Sequence, residues 1–247
     1  MSAILSRCAP ESRCAPEQNR LLAALPTCEY ERLAPRLEDR ALQAGQLLAL
    51  PDETISRVYF LRGAIVSLLV PMEDGSAIEG ATLGREGMVG LEALLGDGTA
   101  RVEVVVDIPG RAACMDANAL RDALGRSMSL QRLIQQYTLA LLHQIARTAG
   151  CNRRHSVRER VARVLLMSHD GVDRQTFHLT HESLGVMLGV RRASVTQAAT
   201  SLHAAGLITY RRGSMTIVDV NGLRAAACLD YGLSCEAYER LRRSVWD

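Results

Sequence analysis

Apolar residues recur at helical spacing near the start of the chain, at Leu21, Leu22, Leu25, Leu33 and Leu37. Between residue 41 and about residue 109 the period changes to short β-type runs, 46–50, 58–61, 64–70, 77–83 and 101–108. Pro51-Asp52, Arg62-Gly63, Asp74-Gly75 and a glycine-rich segment from Gly84 to Gly98 separate them, which is the turn chemistry that punctuates strands. Strands this short and this many predict a sandwich or small barrel of jelly-roll type. Residues 116–124 predict a short helix. The longest helical pattern runs from Ser129 to about Ala149, where Leu130, Ile134, Tyr137, Leu141, Gln144 and Thr148 recur at alternating steps of four and three. That is a coiled-coil seam and predicts dimerisation; the alternative is a helix packed on its own β-domain, since three heptads are the least that define a coiled coil. Gly150-Cys151-Asn152-Arg153-Arg154 breaks the pattern and reads as a hinge, followed by an amphipathic helix over 156–169.

Residues 180–205 read as two short helices broken at Gly189, with Leu184, Leu188, Val190, Val195 and Ala198 on the inside of a tight corner. Gly185 removes a side chain where the helices approach, and Gly189 can take the positive φ that the turn demands. This is the pattern of a helix-turn-helix. Its second helix turns Arg191, Arg192, Ser194, Thr196 and Gln197 outward, donors of the kind that reach base edges and phosphates in a major groove. Thr180, ahead of His181 and Glu182, caps the first helix and joins the DNA-facing set. Two β-type runs, 207–211 and 215–219, flank Arg212-Gly213-Ser214 and predict a hairpin. A helix-turn-helix followed by a hairpin is a winged helix, with Arg211 and Arg212 at the wing tip beside the phosphate backbone. Residues 221–246 predict one or two further helices.

The fold class expected is therefore α+β in four parts: a flexible tail (1–19) holding the short repeat RCAPES, RCAPEQ; a jelly-roll sensor domain (20–125); a dimerisation helix (126–150); and a winged helix-turn-helix with a helical extension (151–247). A chain of 247 residues has room for these and a sizeable core. No apolar run is long enough for a signal peptide or a spanning helix, which predicts a cytoplasmic protein without a membrane partner. The net charge of +2 conceals an asymmetry: residues 1–150 hold 15 Arg against 18 acidic residues, and residues 151–247 hold 14 Arg against 9. The positive half is the one with the recognition helix. No triad or metal cluster suggests catalysis.

The order of parts resembles the Crp/Fnr family of bacterial transcription regulators from about Asn19 to Asp219. The local matches are Leu179-Thr180-His181-Glu182 through Val195, Gly84-Arg85-Glu86-Gly87-Met88-Val89-Gly90, and Ala149-Gly150-Cys151-Asn152-Arg153; the last two are similar to a large proteobacterial branch. The resemblance implies a homodimeric regulator that binds a palindromic operator in double-stranded DNA, and contacts RNA polymerase if it activates. Arg192 falls at the position that pairs with guanine and Gln197 at a second base-reading position. Ala193 stands where many members have an acidic residue, and Arg191 where a small hydroxyl residue caps the helix, so Arg191 is expected on phosphate.

Cyclic-nucleotide-binding members hold the ribose with a Glu and the cyclic phosphate with an Arg. Here Met88 falls at the Glu position and Gly98, before Thr99, at the Arg position. The roll is thus expected not to bind cAMP, and to serve as scaffold, protein-interaction module or site for something else; Glu86 and Arg101 are the candidates for a displaced nucleotide-binding pair. An imidazole ligand for haem is absent from the roll, because all six His lie between His143 and His203. An alternative is an iron–sulfur redox or oxygen sensor using Cys8, Cys14, Cys28 and Cys114. The expected mechanism is allosteric, with an effector or redox change at the roll altering the dimer helix and the hinge re-aiming the recognition helices.

Overall fold

The computed structural model describes residues 19–228 and Tyr231. The tail with Cys8 and Cys14, and the predicted helical extension after residue 228, lie outside them. Asn19 caps α1 (Arg20–Ala23), accepting from the Leu21 and Leu22 amides, and α2 (Thr27–Leu33) follows. The roll contains β1 (Glu38–Leu42), β2 (Leu47–Ala49), β3 (Arg57–Arg62), β4 (Ile65–Pro71), β5 (Ala77–Leu83), β6 (Met88–Val89), a turn of helix α3 (Glu92–Leu95), β7 (Glu103–Ile108) and β8 (Gly110–Asp116). These strands form two four-stranded antiparallel sheets, in the orders β1-β8-β3-β6 and β2-β7-β4-β5. Alternation explains the inner face: in β7, Val104, Val106 and Ile108 are buried while Glu103, Val105 and Asp107 are only partly covered.

Asp116 caps α4 (Ala117–Leu124), and Ser127 caps the long helix α5 (Met128–Arg154). The predicted hinge at Gly150–Arg154 is not where the chain breaks. Helix α5 continues through it, and the His155 amide still bonds to the Cys151 carbonyl at 3.0 Å. Glycine costs a helix about 1 kcal/mol, and the fully buried Cys151 in the following position offsets that. The break falls at Ser156, whose side chain and Glu159 form a capping box that starts α6 (Val157–Val172).

The predicted seam on α5 also faces elsewhere. Leu130, Ile134, Tyr137, Leu141, Gln144 and Thr148 are all buried within this one chain. Tyr137 donates its hydroxyl to the Met88 carbonyl (2.9 Å) and accepts from the Met88 amide (3.1 Å), and the Gln144 amide donates to the Thr82 carbonyl at 2.6 Å. Over so few turns, a seam for a partner and a stripe for the chain's own core have the same spacing. The roll offers the larger apolar surface, and each fully buried aliphatic side chain there contributes roughly 1.5–3 kcal/mol. What α5 leaves exposed is a different set: Leu139 (54%), Leu142 (58%) and Ile145 (39%).

The remaining elements are β9 (Thr176–His178), α7 (His181–Leu188), α8 (Arg192–Ala204), β10 (Ile208–Arg211), β11 (Ser214–Ile217) and α9 (Val220–Ala226), with the three strands ordered β10-β11-β9. Their core, from Val161 on α6 through Val195 on α8 to Met215 and Leu223, also takes in Ile65 and Ile108 from the roll. Beside these two residues lies a polar contact within the roll. The Ser67 hydroxyl lies 2.6 Å from an Asp107 oxygen and 3.1 Å from Glu79. Ser67 has a single hydrogen, so both contacts are hydrogen bonds only if one carboxyl is protonated. In agreement, burial pushes Glu79 up to about 7 and Asp107 up to about 6. Arg163 of α6, buried and bonded to the Thr148 hydroxyl at 3.4 Å, offsets part of the charge of Glu79.

Candidate nucleic-acid interface and roll cavity

The Thr180 hydroxyl accepts from the Ser183 amide at 3.0 Å and so starts α7. That role is structural; Thr180 is half-buried and belongs to the cap rather than to the exposed set. Helix α7 ends at Gly189, whose φ of +60° lets the Val190 amide reach back to the Gly185 carbonyl at 3.0 Å. A Cβ on Gly185 would stand 3.0 Å from the Val190 carbonyl oxygen, which is why the corner can close so tightly. Leu184, Leu188, Val195 and Ala198 are buried inside it, and Val190 is half-buried. Arg191 is extended at the start of α8 and makes no side-chain cap bond, leaving its guanidinium to solvent.

Arg191, Arg192, Thr196 and Gln197 are exposed and Ser194 is half-buried. Of these hydroxyl and amide groups, Thr196 is already engaged: it donates to the Arg192 carbonyl at 3.0 Å, and its oxygen lies 3.1 Å from His181 Nδ1. His181, a residue the sequence did not single out as DNA-facing, stacks on Tyr210 of β10 with ring centroids 4.2 Å apart and so ties α7 to the wing. Burial, and then the charge of Arg192, hold its pKa below the usual histidine value. Arg212 and Gly213 form the two-residue turn between β10 and β11, both at positive φ (49° and 81°), so the tip presents Arg211 and Arg212 outward.

In the roll, a cavity of about 610 Å³ opens between β4, β5, β7 and α5. Its walls are mainly apolar, including Leu68, Leu83, Met88 and Val104 with Leu141 and Ile145 from α5; Glu92, Asp97, Thr99, Arg101 and Arg57 supply its polar groups. Met88, Thr99 and Arg101 line it, and Glu86 does not join them. Its half-buried carboxylate accepts from the Gly84 amide at 2.8 Å, and desolvation raises its pKa. The displaced Glu86–Arg101 pair is therefore not formed at the cavity, where the carboxylates are Glu92 and Asp97 instead. Arg101 bonds Asp97 at 2.6 Å and lies 3.8 Å from Asp52, and Arg57 bonds Glu38 at 3.0 Å. Each cavity cation already has its anion.

Cys28 is exposed on α2, and Cys114 is buried on β8 with its Sγ 3.6 Å from Arg57 Nη1. Among the described residues neither belongs to a group of three or more metal-ligating side chains. No helix among them is long and apolar enough to cross a membrane.

A β-roll joined by a long helix to a winged helix with an exposed cationic recognition helix is the architecture of a DNA-binding transcription regulator. The cyclic nucleotide-binding domain family matches residues 39–127, and the Crp-like helix-turn-helix domain family matches residues 159–226. The chain belongs to the Crp/Fnr family of transcription regulators. Solved structures agree on the fold. FixK2 from Bradyrhizobium japonicum is 18% identical, with a TM-score of 0.66 over 78% of this chain and 98% of its own. TTHB099, a CRP-family regulator from Thermus thermophilus, is 21% identical, with a TM-score of 0.61 over 76% and 96%. The c-di-GMP-responsive regulator CLP of Xanthomonas campestris is 18% identical, with a TM-score of 0.58 over 77% and 98%. No protein with a curated description matches the sequence.

Proposed function

We propose that the protein acts as a homodimer that reads two half-sites of a palindromic operator, with Arg192 and Gln197 on base edges and Arg191, Arg211 and Arg212 on phosphates. The observation that carries this reading is that these four arginines are exposed and form no ion pair among the described residues. A guanidinium can reach guanine O6 and N7 together, and a dimer of this kind needs half-sites about one helical turn apart or a multiple of that. The dimer is assigned to the exposed stripe Leu139, Leu142 and Ile145, in place of the buried seam. Ile145 both lines the cavity and belongs to that stripe, so a molecule filling the cavity bears on the dimer contact directly.

The effector assigned to this cavity is a small, mainly apolar molecule and not a cyclic nucleotide. A cyclic phosphate needs a free guanidinium or an equivalent set of amides, and Arg57 and Arg101 are each held by a carboxylate. Selection of binding sites from random duplex DNA, followed by titration of the chosen site, tests the reading. Arg192→Ala is expected to cost about 1–3 kcal/mol on the chosen site and to relax one base pair in each half. Binding equal to the wild type would remove α8 as the reader. A shift of thermal unfolding by cAMP would overturn the effector class.

A further inference from the structure

The last turn of α5, the residue that ends it and the chain just after α9 bring three metal-ligating groups together. Cys151, His155 and Cys228 each offer a donor atom, and all three atoms lie within 4.8 Å of one another. The two sulfurs are 3.3 Å apart, and both cysteines are buried, with 0% and 3% of their surface exposed. His155 is one turn beyond Cys151, which puts both on one side of the helix end. Around a tetrahedral ion with metal–sulfur bonds of about 2.3 Å, two thiolates stand roughly 3.8 Å apart. The two sulfurs stand closer than that, a difference small enough for side-chain rotation to take up.

Arg160 supplies the second, independent observation. Its side chain is buried (7% exposed) on the first turn of α6, and among the described residues it has no carboxylate partner. Its guanidinium stands beside Cys151 and Cys228, and a cation so placed favours the thiolate over the thiol. A thiol pair that needed only to pack, or to form a disulfide, has no use for an imidazole as a third donor, while thiolate plus imidazole is the donor set of zinc. Glu159, 3.7 Å from His155 Nδ1, adds a carboxylate that can orient the ring.

We propose that Cys151, His155 and Cys228 bind a zinc-class divalent ion through two thiolates and one imidazole, fastening the end of α5 to the end of the winged helix. The ion lies at the joint between the two halves. Arg160, beside the sulfurs, also donates to the carbonyl of Leu188, the last residue of α7 before the Gly189 corner. Loading of the site thus acts on the angle at which the helix-turn-helix leaves α5. Because both thiols must lose their protons, uptake is coupled to proton release.

The full chain, reduced, stripped with a chelator and kept free of oxygen, is titrated with Co²⁺ as an optical probe. The expected result is sulfur-to-cobalt absorption in the near ultraviolet that saturates at one ion per chain and disappears when Zn²⁺ is added. Cys151→Ser together with Cys228→Ser should abolish it, and Cys28→Ser with Cys114→Ser should leave it unchanged. Circular dichroism of each variant identifies any that fail to fold, and the wild-type titration needs no variant. Absence of the sulfur band in the reduced wild type overturns the proposal. So does a band that survives removal of Cys151 and Cys228, or one that depends on Cys28 and Cys114. A chain that takes up no cobalt but links Cys151 to Cys228 in air would hold a redox pair and no metal site.

Discussion

In the roll, Arg57 is tied to Glu38 and Arg101 to Asp97, while Arg191, Arg192, Arg211 and Arg212 of the winged helix stand in solvent without a carboxylate among the described residues. An anion entering the roll has to displace an existing partner at each guanidinium. One approaching the winged helix displaces only water and counterions, and the release of those counterions favours binding. The two regions contain the same chemical group, and its neighbours decide whether it serves as a receptor. This contrast explains why the charge asymmetry of the chain matters more than its net charge.

The comparison breaks most visibly if the exposed set is removed. Arg191→Ala, Arg211→Ala and Arg212→Ala together are expected to lower the slope of log affinity against log salt by about 0.9 for each phosphate no longer neutralised. Gel-shift titration at several salt concentrations measures it, and an unchanged slope would mean that the wing and the start of α8 do not touch DNA. Tyr137→Phe comes next. It strips the Met88 amide and carbonyl of their partner and should destabilise the chain by about 1–3 kcal/mol in denaturant unfolding, whereas Leu142→Ala should weaken the dimer in sedimentation with little cost to the fold.

The Ser67–Glu79–Asp107 contact within the roll gives a pH effect of intermediate size. Glu79 and Asp107 titrate higher in the folded chain than in the unfolded one, so between about pH 4 and 7 the folded state binds more protons. Their contribution is fully present below the unfolded values and is lost as pH rises through about 6 and then about 7. Asp107→Asn should flatten the lower part of that fall in thermal unfolding followed against pH. The smallest effect is expected from Arg101→Ala. It removes an exposed ion pair, should change stability by less than about 1 kcal/mol, and should leave operator affinity unchanged.

Much of this molecule could be read from its residues. The corner at Gly189 is dictated locally, because a positive φ between two short apolar patterns has few other uses. The runs 58–61, 64–70 and 77–83 gave their strands for a similar reason. Strands β1 and β8 left little trace: β1 is charged and almost wholly exposed, and β8 is built largely from Ala, Cys and Gly with no β-branched residue. The direction of the α5 stripe was not legible, since packing on the roll and pairing with a partner demand the same spacing. The same limit applies to Glu86 and Glu92. They are six residues apart on either side of β6, and only the fold decides which of them reaches the cavity. Thr196 looked free for DNA because nothing in the sequence places His181 beside it.

Ile65 and Ile108 lie on roll strands but pack into the core of the winged helix. A cut between the two halves would leave each with an apolar scar: the roll would bare two isoleucines, and the DNA-binding part would lose a piece of its floor. A DNA-binding fragment cut from such a regulator is expected to be less stable than the same part in the whole chain, and grafting its sensor onto another reader would have to carry the matching floor along.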